Sequence, residues 1–410
     1  MYIERHLSER LKKLAGSFPV VVLCGARQTG KSTLLAKLFG KTCRTVVFDP
    51  IIDIQNARAE PDLFLANNPA PLILDEIQYA PQVVASIKRR VDSDRKPGMY
   101  LLSGSQQWSV MKSLSESLAG RVVFVDLAGF SAGEISRAQK EALWLHNWLE
   151  SKGTWRPEKR LAIKHTLLDQ LYRGSLPQAV FLDIGLLKDF FTGYERTYIE
   201  RDARMMAEFA DIRTFARFFR LMAALTAQEI NQHHLGRELD VTPQTARRWL
   251  GVLEATFQWF EVPAFSGNAI KRLSEKSKGY MGDTGMTCFA QSISSPQAVP
   301  THPLWGALFE TFAVNEIRKQ LQLLPYPASL YHWRTHAGAE VDLIIEQDGV
   351  LYPVEIKATT IPSKADTSGI AAFRKTYPRK HIGPGIVLCA AESSYKLTEH
   401  DIAMPWDAMG

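Results

Sequence analysis

A short glycine-containing loop between a strand-like run and a helix-like run constrains this chain more than any other feature. Gly25 to Ser32 fits the pattern G-x-x-x-x-G-K-[ST], in which backbone N–H groups surround the phosphates of a nucleotide. An apolar run from Val20 to Cys24 precedes the loop, and an amphipathic run from Ser32 to Phe39 follows it. This context favours a phosphate-binding loop over a glycine-rich turn that ends in a surface lysine. The expected phosphate cradle consists of Gly25, Ala26, Arg27, Gln28, Thr29, Gly30, Lys31, Ser32 and Thr33.

Each residue type in the loop suits a separate part of phosphate chemistry. Gly25 and Gly30 allow a tight backbone path at little steric cost. The N–H groups of the loop and the start of the following helix then face the negative phosphates. We expect Lys31 to reach the β- and γ-phosphates and the hydroxyl of Ser32 to complete a Mg²⁺ shell.

A second apolar strand-like run, Leu72–Leu74, ends in two acids, Asp75 and Glu76. Beside a phosphate loop, such a strand places Asp75 against Mg²⁺ and Glu76 where a hydrolytic water would sit. The alternative is a strand that meets a helix N-cap, where Asp is also favoured. The phosphate loop earlier in the chain favours the nucleotide site.

Four further polar residues are candidates for contacts with the nucleotide. Ser103 and Ser105 follow an apolar strand-like run, so either hydroxyl could lie near the γ-phosphate, and a simple turn explains them equally well. Arg121 and Arg201 are candidates for the arginine that stabilises charge in the transition state of phosphoryl transfer. For both arginines the alternative is an ordinary solvated surface group.

Length, charge and cysteine content indicate an ordinary globular protein. A chain of 410 residues with 46% hydrophobic content can form two to three domains of roughly 100–200 residues. The net charge of +6 is compatible with a nucleic-acid partner without requiring one. The 4 cysteines are scattered, which argues against a zinc site or a disulfide framework. The first residues resemble no signal peptide, and no run of about 18 apolar residues occurs, so we expect a soluble cytoplasmic protein.

The order of strand-like and helix-like segments predicts an α/β architecture. Short apolar runs between residues 20 and 127, separated by helix-length spacers, predict a parallel sheet covered on both faces. Residues 130–211 have helical patterns and should form a lid or connector. The expected domains are 1–205 with the phosphate loop, 206–265 with helices and a β tail, a 266–300 linker of loops with short strands, and 301–410.

The stretch from Gln228 to Phe260 has the proportions of a helix-turn-helix. Thr242 as N-cap and Pro243 at the first helical position mark the start of its second helix. Polar and basic side chains then lie on the outer face of that helix, where they could contact a DNA groove and its phosphates. A small helical module used for packing or oligomerisation is an equally good explanation. The candidate nucleic-acid contacts are Gln244, Thr245, Arg247 and Arg248.

A second group of charged residues, which could form a catalytic or metal site, lies near the C-terminal end. Asp342 lies on one predicted strand, and Glu355 and Lys357 lie on the next, where alternate residues face the same side. Asp342 and Glu355 could share a Mg²⁺, and Lys357 could position or activate a water for attack on a phosphodiester. Glu310 and Glu316 fall on the apolar arc of the preceding helix, where a carboxylate needs a partner such as a metal.

Several of these motifs together resemble the AAA-superfamily ATPases of the AAA_14 type, which usually carry a C-terminal DUF4143 domain. The motifs are Gly25–Thr33, Leu72–Glu76, Leu102–Gln106, Ser117–Arg121 and, after the lid, Tyr198–Asp202. The resemblance implies a P-loop NTPase sheet with a helical lid, then a winged helix, then a nuclease-like domain. The C-terminal pattern is similar to the PD-(D/E)xK fold, a restriction-endonuclease-like α/β domain. That similarity implies an acidic triad of Glu310, Asp342 and Glu355 with Lys357.

These observations lead to a primary hypothesis and an alternative. The primary hypothesis is an ATP-hydrolysing, Mg²⁺-dependent and DNA-associated protein whose ATPase state is coupled to a nuclease or nuclease-like C-terminal domain. The alternative is an ATP-dependent regulatory switch that contacts a protein partner and does not cleave DNA. AAA-type relatives often form rings, but the sequence carries no oligomerisation signature, so a homo-oligomer stays open.

Overall fold

The computed structural model describes residues 2–105, 118–138, 143–204, 212–268 and 276–409, without the side chains of residues 200, 201, 232 and 233. Among the described residues no helix combines the length and apolar character needed to cross a membrane. Of the motif residues, Gln106, Ser117 and the side chain of Arg201 lie outside the described residues.

The first unit is built on a parallel sheet of five strands. Its strands are β1 (Val20–Cys24), β2 (Arg44–Val47), β3 (Leu72–Asp75), β4 (Tyr100–Gly104) and β5 (Val122–Asp126), in the order β2-β3-β4-β1-β5. Its helices are α1 (Ser8–Ala15), α2 (Lys31–Phe39), α3 (Pro61–Asn67) and α4 (Val83–Ser93). The central strands β1, β3 and β4 are buried throughout, as expected for a parallel sheet covered on both faces.

The parallel arrangement brings the ends of several strands to one edge of this sheet. Strand β1 pairs with β4 and β5, and β4 pairs with β3, all in parallel. The phosphate loop leaves β1 after Cys24, Ser103 lies near the end of β4, and Asp75 ends β3. Because parallel strands end at a common edge, these predicted site residues lie on the same side of the sheet.

A helical lid, defined as residues 130–204 where described, follows the first sheet. Its helices are α5 (Ala132–Ile135), α6 (Trp144–Glu150), α7 (Leu167–Arg173), α8 (Pro177–Phe181) and α9 (Leu187–Thr197). A short strand, β6 (Lys159–Arg160), interrupts them, and a π-helix, Tyr198–Ala203, continues directly from α9. Capping boxes at Ser131 and Thr166 define the starts of α5 and α7.

The middle module contains the predicted helix-turn-helix and a small sheet. Its elements are α10 (Ile212–Ala224), β7 (Gln228–Glu229), α11 (Gln232–Glu238), α12 (Pro243–Ala255), β8 (Trp259–Val262), β9 (Lys278–Met281) and α13 (Thr284–Ala290). Thr242 caps α12 through a bond from the N–H of Thr245, 3.1 Å long. Trp249, Leu250 and Leu253 face the module core, as their spacing predicts.

The 266–300 segment differs from the linker that the sequence suggests. Strand β9 is the central strand of the sheet β7-β9-β8, and helix α13 packs on α7, α9 and α10. We expected loops with short strands in this segment and no helix. Its many Gly, Ser and Lys residues obscure the apolar run Met286–Ala290, whose burial stabilises α13.

The last unit is a mixed sheet with one long helix on it. Its elements are α14 (Trp305–Leu321), β10 (Ser329–Arg334), β11 (Glu340–Gln347), β12 (Val350–Lys357), α15 (Ser368–Thr376), β13 (Gly385–Cys389), β14 (Tyr395–Lys396), β15 (Asp401–Pro405) and β16 (Ala408–Met409). The six-stranded sheet has the order β10-β11-β12-β13-β15-β14. Strands β10 to β12 form an antiparallel meander, and β12, β13 and β15 run parallel.

The last unit contacts the lid and the middle module through both side chains and backbone. Strand β16 pairs with β6 of the lid, and His332 on β10 exchanges backbone bonds with Pro263 and Phe265 after β8. Glu316 on α14 accepts from the N–H of Ala132 at 2.8 Å. The C-terminal unit is therefore positioned by direct contacts with the lid and the middle module.

Candidate functional site

The backbone of the phosphate loop requires glycine at two positions. Gly25 has a φ of 152°, and a Cβ there would lie 2.2 Å from the carbonyl oxygen of Leu127. Gly30 has a φ of 93° in the left-handed region and directly precedes α2. Both conformations favour glycine, so the loop can turn tightly and present N–H groups at the N-terminus of α2.

Lys31 lies under the loop and holds its backbone. Its Nζ donates to the carbonyl oxygens of Gly25 and Ala26, each at 2.8 Å. Burial lowers the pKa of the Lys31 amine, and the negative charge of Glu76 opposes that shift. The ammonium is therefore buried against the loop carbonyls and lies in the field of the acids that end β3.

Asp75 and Glu76 form a hydrogen-bonded group with residues at the end of β4. Ser103 donates its hydroxyl to Asp75, and its Oγ lies 3.4 Å from the backbone nitrogen of Glu76. Glu76 has a left-handed backbone with a φ of 58°. Its carboxylate accepts from the amide of Gln78, which also donates to Ser105 Oγ at 3.2 Å. Gln78 was not a sequence candidate, although its place two residues after Glu76 could have suggested it.

Arg27 connects the phosphate loop to the end of the lid. Its guanidinium makes a two-pronged ion pair with Asp202, NH2 to Oδ1 measuring 2.6 Å, and donates to the Tyr79 hydroxyl at 3.1 Å. The two charged side chains are 15% and 3% exposed. Asp202 was part of a family motif in the sequence, but only the fold assigns it this partner.

The prediction that Arg121 contacts the nucleotide within its own chain is wrong. Arg121 directly precedes β5, and its carbonyl oxygen accepts from the N–H of Val20 at 3.2 Å. It therefore lies at the edge of the sheet where β1 begins, whereas the phosphate loop lies where β1 ends. Its guanidinium pairs with Asp92 at 2.7 Å.

The residues around the phosphate loop fit a nucleotide-bound Mg²⁺. Ser32 is exposed in the first turn of α2, and Asp75 supplies a buried carboxylate at the same sheet edge. Mg²⁺ commonly takes only one or two protein oxygens and completes its shell with phosphates and water. Accordingly, a dense ligand set is not required, and the described residues contain no group of three or more His, Cys, Asp or Glu suited to hold a metal ion.

In the C-terminal unit, the fold brings Glu310, Asp342, Glu355 and Lys357 into one cluster, called the acid cluster below. Lys357 Nζ lies 2.8 Å from Glu355 Oε2 and 3.6 Å from Asp342 Oδ2. The N–H of Ile356 donates to Asp342 Oδ2 at 2.8 Å. Glu316, the other helix acid considered, contacts Ala132 and Lys319 and lies outside the cluster.

Two residues of β9, which the sequence analysis did not consider, complete the acid cluster. Lys278 Nζ lies 2.6 Å from Glu310 Oε1 and 3.3 Å from Asp342 Oδ1. The hydroxyl of Tyr280 donates to Glu310 Oε1 at 2.7 Å. A lysine some sixty positions upstream of Asp342 gives no local sequence signal for this contact, because only the tertiary fold brings β9 here.

The charges in the acid cluster strongly affect one another. Burial and the charge of Asp342 raise the pKa of Glu310 to about 7 and that of Glu355 to about 8. Burial alone would also raise the pKa of Asp342, but the ammonium groups of Lys278 and Lys357 hold it below its ordinary value. Of the three acids, Asp342 is therefore the one most strongly favoured in its charged form.

A divalent metal ion does not fit the acid cluster as it is arranged. Lys278 occupies the space between Glu310 and Asp342 where a bridging ion would bind. An ion at 2.0–2.1 Å from those oxygens, the distance that Mg²⁺ requires, would meet a positive charge at close range. The Lys357 ammonium lies against both Asp342 Oδ2 and Glu355 Oε2. This arrangement does not support the predicted Mg²⁺ shared by Asp342 and Glu355, and we derive no cleavage step from it.

The candidate nucleic-acid contacts lie on one exposed surface of the middle module. Gln244, Arg247 and Arg248 are exposed on α12, and Thr245 is partly exposed. Ala246 and Trp249 on the opposite face are buried in the module core. The polar face of α12 is therefore available to a partner, as the helical spacing predicts.

Comparisons with protein families assign three successive segments of the chain. The AAA_14 model, described as an AAA domain, matches residues 17–136. A domain of unknown function, DUF8612, matches residues 164–297. A second domain of unknown function, DUF4143, matches residues 305–409.

Relatives are found among both sequences and solved structures. The uncharacterized protein Rv2008c of Mycobacterium tuberculosis is 29% identical over 409 residues, which cover 99% of this chain and 85% of the relative. The Walker-type ATPase of Pyrococcus abyssi is 13% identical with a TM-score of 0.43, and the match covers 71% of this chain and 96% of that one. The RuvB Holliday junction branch migration motor of Thermotoga maritima is 16% identical with a TM-score of 0.31, over 66% of this chain and 95% of that one.

The matched segments agree with the architecture described above. The AAA_14 match contains the parallel sheet, the phosphate loop and the acids at the end of β3. The DUF4143 match contains the acid cluster except for Lys278 and Tyr280 from β9. The chain therefore matches the AAA_14 model over residues 17–136 and the DUF4143 model over residues 305–409.

Proposed function

We propose that this protein binds ATP with Mg²⁺ at the Gly25–Thr33 loop and hydrolyses it. The observation that carries the proposal is the presence of a glycine-shaped loop, a buried lysine and the Asp75–Glu76 pair at one sheet edge. These groups supply the phosphate cradle, the charge on the β- and γ-phosphates and the carboxylates that phosphoryl transfer to water needs. The AAA_14 match supports the same assignment.

Each residue of the proposed ATP site has a separate role in hydrolysis. Lys31 moves from the loop carbonyls to the phosphates when a nucleotide binds, because the phosphates carry far more negative charge than two carbonyl oxygens. Ser32 and Asp75 would hold Mg²⁺, which would neutralise charge on the phosphates. Glu76 orients and deprotonates the attacking water once the amide of Gln78 no longer occupies its carboxylate.

Arg27 gives the nucleotide site a physical route to the rest of the chain. Its ion pair with Asp202 ties the phosphate loop to the π-helix that ends the lid and precedes the middle module. Phosphates would attract Arg27 and so weaken its pair with Asp202. Contacts with a γ-phosphate that order or release a nearby segment are a common switching mechanism. We propose that ATP binding and hydrolysis reposition the middle module through this contact.

The middle module is proposed to be a winged helix that binds DNA. Its chain order of helix, strand, two helices and two strands supports a winged helix, with β8 and β9 as the wing. The exposed side chains of Gln244, Arg247 and Arg248 suit phosphate and groove contacts. DNA cleavage is not part of the proposal, because the acid cluster does not fit a divalent ion.

A salt titration of DNA binding tests the module. The slope of log affinity against log salt reports the number of phosphate contacts, at about 0.9 per contact for B-DNA. The double variant Arg247→Ala/Arg248→Ala should bind duplex DNA more weakly and reduce that slope by about 2. The matched control, Arg89→Ala/Arg90→Ala, removes two exposed arginines from α4 and should leave binding unchanged.

Two results would contradict DNA binding by this surface. One is an equal loss of affinity in both double variants, which would indicate a general effect of charge. The other is no measurable DNA binding together with salt-insensitive capture of a protein partner, which would favour the regulatory switch. ATP turnover measured with duplex, branched and single-stranded DNA then tests coupling, since a coupled module should change the rate with at least one of them.

A further inference from the structure

The ammonium of Lys278 lies inside the acid cluster of the C-terminal unit. Its Nζ is 2.6 Å from Glu310 Oε1 and 3.3 Å from Asp342 Oδ1. The side chain is 12% exposed, and those of Glu310 and Asp342 are 13% and 5% exposed. The lysine comes from β9 of the middle module, so a different unit of the chain supplies this cation.

N–H and O–H donors from the protein already occupy the acid oxygens that face the cluster. Asp342 Oδ1 contacts Lys278, and Asp342 Oδ2 accepts from the N–H of Ile356 at 2.8 Å. Glu310 Oε1 accepts from the Tyr280 hydroxyl as well as from Lys278. A metal ion would have to displace several of these donors, and it would leave a buried ammonium without its partners.

The strand that carries Lys278 is fixed on both sides of the lysine. Before it, the carbonyl oxygen of Lys276 lies 3.0 Å from His332 Nε2 on β10. After it, the carbonyl of Met281 accepts from the side-chain amide of Asn315 on α14 at 3.0 Å. Both β10 and α14 belong to the C-terminal unit, so contacts between the two units hold the backbone on each side of the lysine.

A lysine that is held in place by the fold can compensate the negative charge of the buried acids without a metal ion. Buried carboxylates need a compensating charge, and an ion pair in a low-dielectric site is costly to break by removal of one partner. Lys278 and Lys357 provide that charge from within the chain. The cluster can therefore form as the protein folds, whatever the metal concentration.

We propose that Lys278 is a tethered cation that takes the place of a divalent metal ion between Glu310 and Asp342 and fastens the middle module to the C-terminal unit. The acid cluster is thus an ionic junction between two units of the chain. Removal of the lysine charge should expose a latent cation site of oxygen ligands, the ligand type that Mg²⁺ and Mn²⁺ prefer.

Calorimetric titration of the full-length protein with MnCl₂, without nucleotide, tests the proposal. Wild type and Asp342→Asn should give the same Mn²⁺ isotherm, because Asp342 binds no metal while Lys278 is present. Lys278→Met, which keeps much of the side-chain volume, should gain one Mn²⁺ site, and Lys278→Met/Asp342→Asn should lose it again. The matched control is Lys276→Met, an exposed lysine on the same segment, which should behave as wild type.

Two outcomes would overturn the proposal. The first is a stoichiometric Mn²⁺ site in wild type that disappears in Asp342→Asn, which would show that the metal binds with the lysine present. The second is a folded Lys278→Met variant, verified by circular dichroism, that gains no Mn²⁺ site. If Lys278→Met does not fold, the comparison of wild type with Asp342→Asn decides the question by itself.

Discussion

The guanidinium of Arg27 in the phosphate loop and the carboxylate of Asp202 in the π-helix after the lid form a two-pronged ion pair, with NH2 and Oδ1 2.6 Å apart. The pair is largely buried, and the Tyr79 hydroxyl accepts a third bond from the same guanidinium. A residue that neighbours the expected phosphates is thereby bonded to the segment that leads into the middle module. This contact links the phosphate loop directly to the segment before the middle module.

Loss of the Asp202 charge should destabilise the folded protein. Asp202→Asn leaves the Arg27 guanidinium buried without its counter-charge, and breaking a buried pair in this way costs about 3 kcal/mol. Urea denaturation of the nucleotide-free protein measures the change. The control is Asp62→Asn in the exposed pair of Asp62 with Arg89, which should leave the unfolding curve unchanged. Equal effects from the two substitutions would contradict a structural role for the Arg27–Asp202 pair.

Replacement of Glu76 should separate ATP binding from hydrolysis. Glu76→Gln keeps the shape of the side chain but removes the base, so turnover should fall by about 10² or more. ATP affinity, measured by a fluorescent analogue, should stay near the wild-type value, because the phosphates contact the loop and Lys31. The exposed Glu60→Gln serves as the control and should change neither quantity. Full turnover in Glu76→Gln would show that another group activates the water.

The stability of the middle module should depend on the ionisation of Glu254. Burial, with a smaller effect from the charge of Glu261, raises the pKa of Glu254 from 4.5 to about 7. The folded state therefore keeps a proton that the unfolded state releases, so this group lowers stability as the pH rises from about 4.5 to about 7. Glu254→Gln cannot ionise, and its Tm relative to wild type should rise between pH 5 and pH 8.

A matched background tests the cause of that pH dependence. Because the charge of Glu261 contributes to the raised pKa of Glu254, the advantage of Glu254→Gln should be smaller in a Glu261→Gln background. A Tm difference that is constant across pH 5 to 8 would contradict the assignment to Glu254.

Local patterns in the sequence predicted helices and strands of the fold and the residues of the phosphate loop. The apolar run Val20–Cys24 predicted β1 with its observed bounds. The loop pattern predicted the need for glycine at positions 25 and 30. The positive φ angles at Gly25 and Gly30 are disfavoured for other residue types. Such features are local, since the residues that define them are neighbours in the chain.

Contacts between distant segments could not be predicted in the same way. Lys278 reaches Asp342, and Arg27 reaches Asp202, only because the fold brings separate units together. The assignment of Arg121 to the nucleotide failed for a related reason. Its motif indicates a charged residue at a strand, but only strand direction shows that it lies at the edge opposite to the phosphate loop.

The central claim is that the Gly25–Thr33 loop binds and hydrolyses ATP, and phosphate release with Mg²⁺ and ATP tests it most directly. Wild type should release phosphate, chelation of Mg²⁺ by EDTA should abolish the release, and Lys31→Ala should reduce it to background, because the phosphates lose the only lysine of the loop. The exposed Lys41→Ala, just after α2, is the matched control and should turn over at the wild-type rate. Equal turnover by wild type and Lys31→Ala would contradict the account.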